Sequence, residues 1–121
     1  MDSSFKDNEK LYRAVRPIDM FWRADGTISS AALRDSNGLS VDRGADRSDA
    51  EAIAHMKSNG FKGTVISLQV SNCKDVGAVV KYLPSTNIYH SEIHGSETKK
   101  LLSDSQRKKL SNLANIEGQL D

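Results

Sequence analysis

Along the first part of the chain, Leu11, Arg13 and Val15 alternate with Tyr12, Ala14 and Arg16 until Pro17. A period of two predicts a short strand over residues 10–16, ended by a residue with no N–H to give to a ladder. Met20, Phe21 and Trp22 follow as an aromatic cluster before the turn signal Asp25-Gly26, and they suit either the core or the wall of a pocket. The small-residue run from Thr27 to Leu33 and the run Leu39 to Arg43, parted by Asn37-Gly38, predict two short extended segments. Ser48-Asp49-Ala50-Glu51 then has the form of a capping box, in which Ser48 and Glu51 each satisfy a backbone N–H at a helix start. Ala50, Ile53, Ala54 and Lys57 fall on one stripe, and Asn59-Gly60 is a stop, so a helix is predicted over 49–58.

The second half reads in the same way. Val65, Ile66, Leu68 and Val70 predict a largely buried strand within 63–70, followed by a helical turn from Ser71 to Gly77. Val79–Leu83 and Ile88–Ile93 predict two strands joined as a hairpin through Pro84-Ser85-Thr86-Asn87. Ser103-Asp104-Ser105-Gln106 repeats the capping box, and Leu110, Leu113 and Ala114 supply the apolar stripe of a last helix over 104–115. Strand runs mixed with two capped helices predict one α+β domain over residues 10–116: a mixed sheet of about five strands with two main helices. Residues 1–9 are expected to be flexible and residues 117–121 frayed.

Composition narrows the function classes. Apolar residues make up 37% and charged residues 27% of the 121, with only two prolines, which suits a folding chain rather than a disordered one. Seventeen basic against sixteen acidic residues leave a net charge of +1, so no global field holds a polyanion and nucleic acid is not an expected partner. The basic stretch Lys99, Lys100, Arg107, Lys108 and Lys109 lacks interleaved aromatics and reads as a solvated helix surface. Cys73 is the one cysteine, which excludes an intramolecular disulfide and points to a reducing, cytoplasmic compartment. The first ten residues lack the apolar core of a signal peptide, and no run approaches the roughly 20 apolar residues of a membrane span.

Two groups of residues carry chemistry. On a strand, His90, Glu92 and His94 point to one face, a set that suits a proton relay or a metal. Alternate strand residues lie about 7 Å apart, which keeps three of them from converging on one ion, and no metal is expected. His90 and Glu92 are the catalytic candidates. The second group is Arg13, Ser29, Ser30, Ser40, Asp42 and Arg43, polar residues within strand-like runs. Guanidinium groups beside hydroxyls suit a phosphate or a carboxylate. From it the predicted ligand-binding set is Arg13, Ser30, Ser40, Arg43 and His90, taking a small anionic ligand or a protein partner with no cofactor. A partner-binding or oligomerising module would instead gather Phe21, Trp22 and Tyr89 into an exposed apolar patch. Neither a nucleophile elbow nor a phosphate-binding glycine loop is present.

The segments Leu11-Tyr12-Arg13, Ser29-Ser30-Ala31-Ala32-Leu33, Leu39-Ser40-Val41-Asp42-Arg43 and Asn87-Ile88-Tyr89-His90-Ser91-Glu92-Ile93-His94-Gly95 resemble a small bacterial domain found in hypothetical proteins. That resemblance spans about residues 11–115 and implies a compact bacterial accessory domain, not a reaction. The order Arg13, Ser29, Glu92 is also similar to the Arg–Ser–Glu class of ADP-ribosyltransferases. There a first-strand arginine binds the NAD phosphates, a serine-rich strand shapes the nicotinamide pocket and a late glutamate is catalytic. This second resemblance implies NAD as the ligand. It departs from the class in the Ser-Ser-Ala sequence at Ser29 and in the lack of a paired glutamate at Glu92.

Overall fold

In the computed structural model, which describes residues 4–120, the chain forms an α+β domain. Six strands make one sheet in the order β4-β5-β2-β1-β3-β6. They are β1 (Lys10–Val15), β2 (Leu39–Arg43), β3 (Thr64–Gln69), β4 (Val79–Tyr82), β5 (His90–His94) and β6 (Asn115–Gln119). Every neighbouring pair is antiparallel, where a mixed sheet of about five strands is expected from the sequence. The helices are α1 (Asp49–Ser58), α2 (Val70–Asp75) and α3 (Asp104–Leu113). No helix among the described residues is long and apolar enough to cross a membrane.

Both predicted capping boxes form. Ser48 accepts from the Glu51 N–H and Glu51 accepts from the Ser48 N–H; Ser103 and Gln106 do the same for α3. Because these bonds are local, four consecutive residues specify where each helix begins. Strand alternation then divides the core in two. Leu11, Val15, Leu39, Val41, Ile66, Leu68, Val80 and Ile93 point to one side, into a cluster shared with Leu33, Val70, Cys73, Leu102 and Leu110. Tyr12 and Val65 point to the other, where Ala52 and Met56 of α1 and Leu120 cover them. The Cys73 thiol lies wholly in the first cluster, and burial pushes its pKa up to about 12.

Several segments depart from the sequence expectation. Ser30–Leu33 lies in a 3-10 turn, not extended chain; of the aromatic cluster expected in the core or a pocket wall, Met20 is exposed and Trp22 half-buried, its indole N–H donating to the Arg16 carbonyl. Residues 117–119 are not frayed, since β6 pairs with β3 over 64–67 with a register shift between Val65 and Ile66. Phe5 is buried in the larger cluster and Glu9 is tied to Arg43, so residues 4–9 dock on the domain rather than hang from it. The expectations for residues 1–3 and 121 lie outside the described residues. Arg107 is buried, donating to the Leu102 carbonyl and the Asp104 carboxylate, while Lys99, Lys100, Lys108 and Lys109 are exposed.

Gly63 shows how tightly the α1–β3 connection is seated. Its φ is +104°, and a Cβ there would sit 2.4 Å from the Val15 carbonyl oxygen. Gly63→Ala is therefore expected to lower unfolding stability by about 2 kcal/mol or more. Chemical denaturation measures it as a lower midpoint at unchanged slope.

Candidate functional site

Helix α1 rests on Tyr12 and Val65, leaving β2, β5 and β4 uncovered on that side of the sheet. The register decides which residues face this open area. Tyr12 pairs with Asp42 and Asp42 with His90; Ser40 pairs with Glu92 and Glu92 with Lys81. Side chains directly across antiparallel strands share a face, so Asp42, His90, Ser40 and Glu92 all project there. His94 is on the same side by alternation, and His55 reaches over from α1.

The result brings together the three histidines of the chain and two carboxylates. His55 Nδ1 lies 3.8 Å from Asp42 Oδ2. Asp42 is directly opposite His90 in the register. His90 Nε2 is 3.4 Å from Glu92 Oε2, and His94 Nε2 is 2.8 Å from Glu92 Oε1. Imidazole and carboxylate thus alternate across the face. Burial pushes the Glu92 carboxyl up, but hydrogen bonds from His94 and His90 outweigh it and hold Glu92 below its ordinary pKa. His94 is buried, not solvent-facing, because the Asn37-Gly38 turn folds onto it. A Cβ on Gly38 would lie 2.7 Å from both Glu92 Oε1 and His94 Nε2. Among the described residues no group of three His, Cys, Asp or Glu side chains is arranged to hold a metal ion.

Asp42 is the unusual member. Its side chain is only 4% exposed. Asn87 Nδ2 donates to Oδ1 at 2.8 Å, while Oδ2 is buried and has no hydrogen-bond partner among the described residues. A buried carboxylate oxygen without a donor costs on the order of 1–3 kcal/mol or more. Asp42 as a residue borders a cleft of about 80 Å³ between β1, β2, β5 and the end of α1. Ser40 and His90 share its walls with Tyr12, Met56 and Phe61, while Arg13 and Val41 border it with side chains that leave the sheet on the opposite face.

Of the predicted ligand-binding set, Ser40 and His90 project into this cleft, whereas Arg13 borders it with its side chain on the opposite face of the sheet. Arg13 leaves β1 on the Leu11–Val15 side, and its guanidinium bends to donate to the Ala32 and Ser40 carbonyls. Arg43 belongs elsewhere. By alternation it lies with Leu39 and Val41 on the larger-cluster side, stacked on Phe5 and Tyr82, with Glu9 accepting two of its N–H groups. Ser30 opens the 3-10 turn over Ser30–Leu33, away from β5 in sequence and outside the cleft wall. The neighbouring Ser29 hydroxyl donates to the Met20 carbonyl. The NAD resemblance needs Arg13, Ser29 and Glu92 around one pocket. Here Glu92 is engaged by the two histidines on the α1 side and Ser29 by Met20. Phe21, Trp22 and Tyr89 do not form one patch. The first two pack on the larger cluster, whereas Tyr89 lies under the Arg47 guanidinium and edge-on to His55.

His55 is absent from the predicted set, as it sits on the exposed-looking flank of α1 and no local signal ties it to Asp42. Asp42 was recognisable as a polar residue in an apolar run, and its parity with His90 was the available clue. Comparison of the chain with protein-family models, curated proteins and solved structures finds no match.

Because the folded-state pKa of Glu92 lies below its unfolded value, its ionised form contributes stability that is present at higher pH. That contribution is lost as pH falls through the folded pKa. Between neutral pH and the acid range, Glu92→Gln is expected to flatten the loss of stability on acidification relative to the parent chain, read from denaturation midpoints along a pH series. Equal pH slopes in the two proteins would refute the coupling of Glu92 to His90 and His94.

Proposed function

We propose that this protein is a small-ligand recognition domain whose site is the cleft at Asp42, and that the ligand presents an amino or ammonium group to Asp42 Oδ2. The observation that carries this reading is the buried Asp42 carboxylate, whose Oδ2 has no hydrogen bond among the described residues, on a residue that borders a cleft. Folding tolerates such a group when a ligand completes it, and an N–H donor meeting a buried carboxylate forms a charge-assisted bond. The surroundings suit that assignment. Asn87 and His55 hold the Asp42 side chain in place, His90 stands across from it, and Met56 and Phe61 offer apolar surface for the rest of a small molecule. An anionic ligand held by paired arginines fits less well, because Arg43 is consumed by Glu9 and Ser4.

The test is a titration of the isotopically labelled chain with a panel of primary amines and amino-bearing small molecules, followed by NMR. Saturable shifts at Ser40, Asp42 and His90 are expected, with Asp42→Asn weakening the affinity roughly tenfold or more. If no compound of the panel shifts these residues, or if Asp42→Asn binds as well as the parent, the reading fails.

A further inference from the structure

The ladder between β1 and β2 is short. It holds two pairs, Leu11 with Arg43 and Tyr12 with Asp42, although β1 runs on to Val15 and β2 begins at Leu39. Arg13 stands where the pairing ends. Alternation sends its side chain to the side of Leu11 and Val15, away from Asp42, and there Nε donates to the Ala32 carbonyl and Nη1 to the Ser40 carbonyl. Both acceptors are neutral. Arg43 and Arg107 each have a carboxylate, Glu9 and Asp104, whereas none lies within ion-pairing distance of Arg13 among the described residues. Burial lowers the Arg13 pKa, with Asp35 opposing it from beyond that range. A guanidinium has five N–H donors, so three remain beyond these two bonds. Nη2 makes no hydrogen bond among the described residues and is not sealed from solvent.

An opening of about 300 Å³ lies against the end of β1, beside the 3-10 turns Asp19–Phe21 and Ser30–Leu33. Arg13, Val15, Ile18, Phe21 and Ala32 border it, and no acidic residue does among the described residues. Val15 and Ala32 are buried, Phe21 packs on the larger cluster, and Ile18 is left 42% exposed. Ala14 and Arg16 complete the border from positions of opposite parity, Ala14 packing with the smaller cluster and Arg16 lying exposed. The volume is at the small end of ligand pockets, which run from roughly 300 to 1,000 Å³. We propose that this opening is a second ligand site, taking a small monocarboxylate with an apolar body, its carboxylate on the free N–H groups of Arg13 and its body against Ile18 and Phe21. One guanidinium among apolar walls balances one negative charge. A phosphate dianion would bring a second charge into surroundings with little to solvate it. The site lies on the opposite side of the sheet from the Asp42 carboxylate and does not depend on the amine reading there.

The experiment titrates the isotopically labelled full chain by NMR with benzoate, with its neutral analogue benzamide and with inorganic phosphate. Benzoate is expected to give saturable shifts at Arg13, Ile18, Phe21 and Ala32 and to bind roughly tenfold or more tightly than either of the others. Arg13→Gln should reduce benzoate to the level of benzamide. Because Arg13 also bridges two backbone carbonyls, a second variant, Ile18→Asp, alters an exposed position on the rim and should weaken benzoate by like charge and lost apolar contact. The proposal is overturned if benzamide binds as tightly as benzoate, if phosphate binds more tightly, if benzoate gives no shifts at these residues, or if Ile18→Asp binds it as well as the parent. The reporting residues differ from Ser40, Asp42 and His90, so the two sites stand or fall separately.

Discussion

A ten-residue helix is narrower than a six-stranded sheet, and the placement of every polar group of interest follows from that mismatch. An α-helix with its side chains is about 10–12 Å across, whereas six strands span roughly 24 Å. Helix α1 therefore covers Tyr12 and Val65 near β1 and β3 and leaves β2, β5 and β4 bare on that side. The bare half must be compatible with water, and Ser40, Lys81, His90 and Glu92 are there. Asp42 lies at the boundary. It is close enough to α1 to be buried beside His55, and close enough to the bare half to border a cleft. A wider helical layer would have removed the cleft; a narrower one would have left Asp42 solvated and unremarkable.

The opposite side of the sheet has the complementary problem, a charge in a covered region. Arg43 shares parity with Leu39 and Val41, so it enters the apolar side at the edge of the larger cluster. It is accommodated by three different kinds of contact at once: Glu9 for the charge, Phe5 and Tyr82 for the faces of the guanidinium, and Ser4 for the remaining donors. An arginine satisfied in this way organises structure by pinning the chain before β1 to the sheet. That accounts for the docking of residues 4–9. It also separates two arginines that look alike in the sequence, one closed by its partners and one left with donors to give.

What could be read from the sequence was local, and what could not was a matter of which distant strand came next. Both helix starts are written in four consecutive residues, Ser48 to Glu51 and Ser103 to Gln106, and both form. The hairpin of β4 and β5 is likewise set by the turn formers between them. Strand β6 is not legible locally, because Asn115-Ile116-Glu117-Gly118-Gln119 has neither β-branched density nor clean alternation; it becomes a strand by lying along β3. The candidate site was legible in part. His90, Glu92 and Ser40 follow from alternation within their strands. The pairing of Asp42 with His90, and the arrival of His55 from a helix, depend on register and packing that a single sequence does not encode locally.

The register shift between Val65 and Ile66 has a consequence for the sheet as a whole. β6 is an outer strand, and outer strands offer unpaired backbone groups to any other extended chain they meet. The irregular pairing with β3 and the glycine at Gly118, packed against Ile53 of α1, break the flat repeat that such edge-to-edge addition requires. The last strand thus completes the ladder of β3 while making a poor template for aggregation.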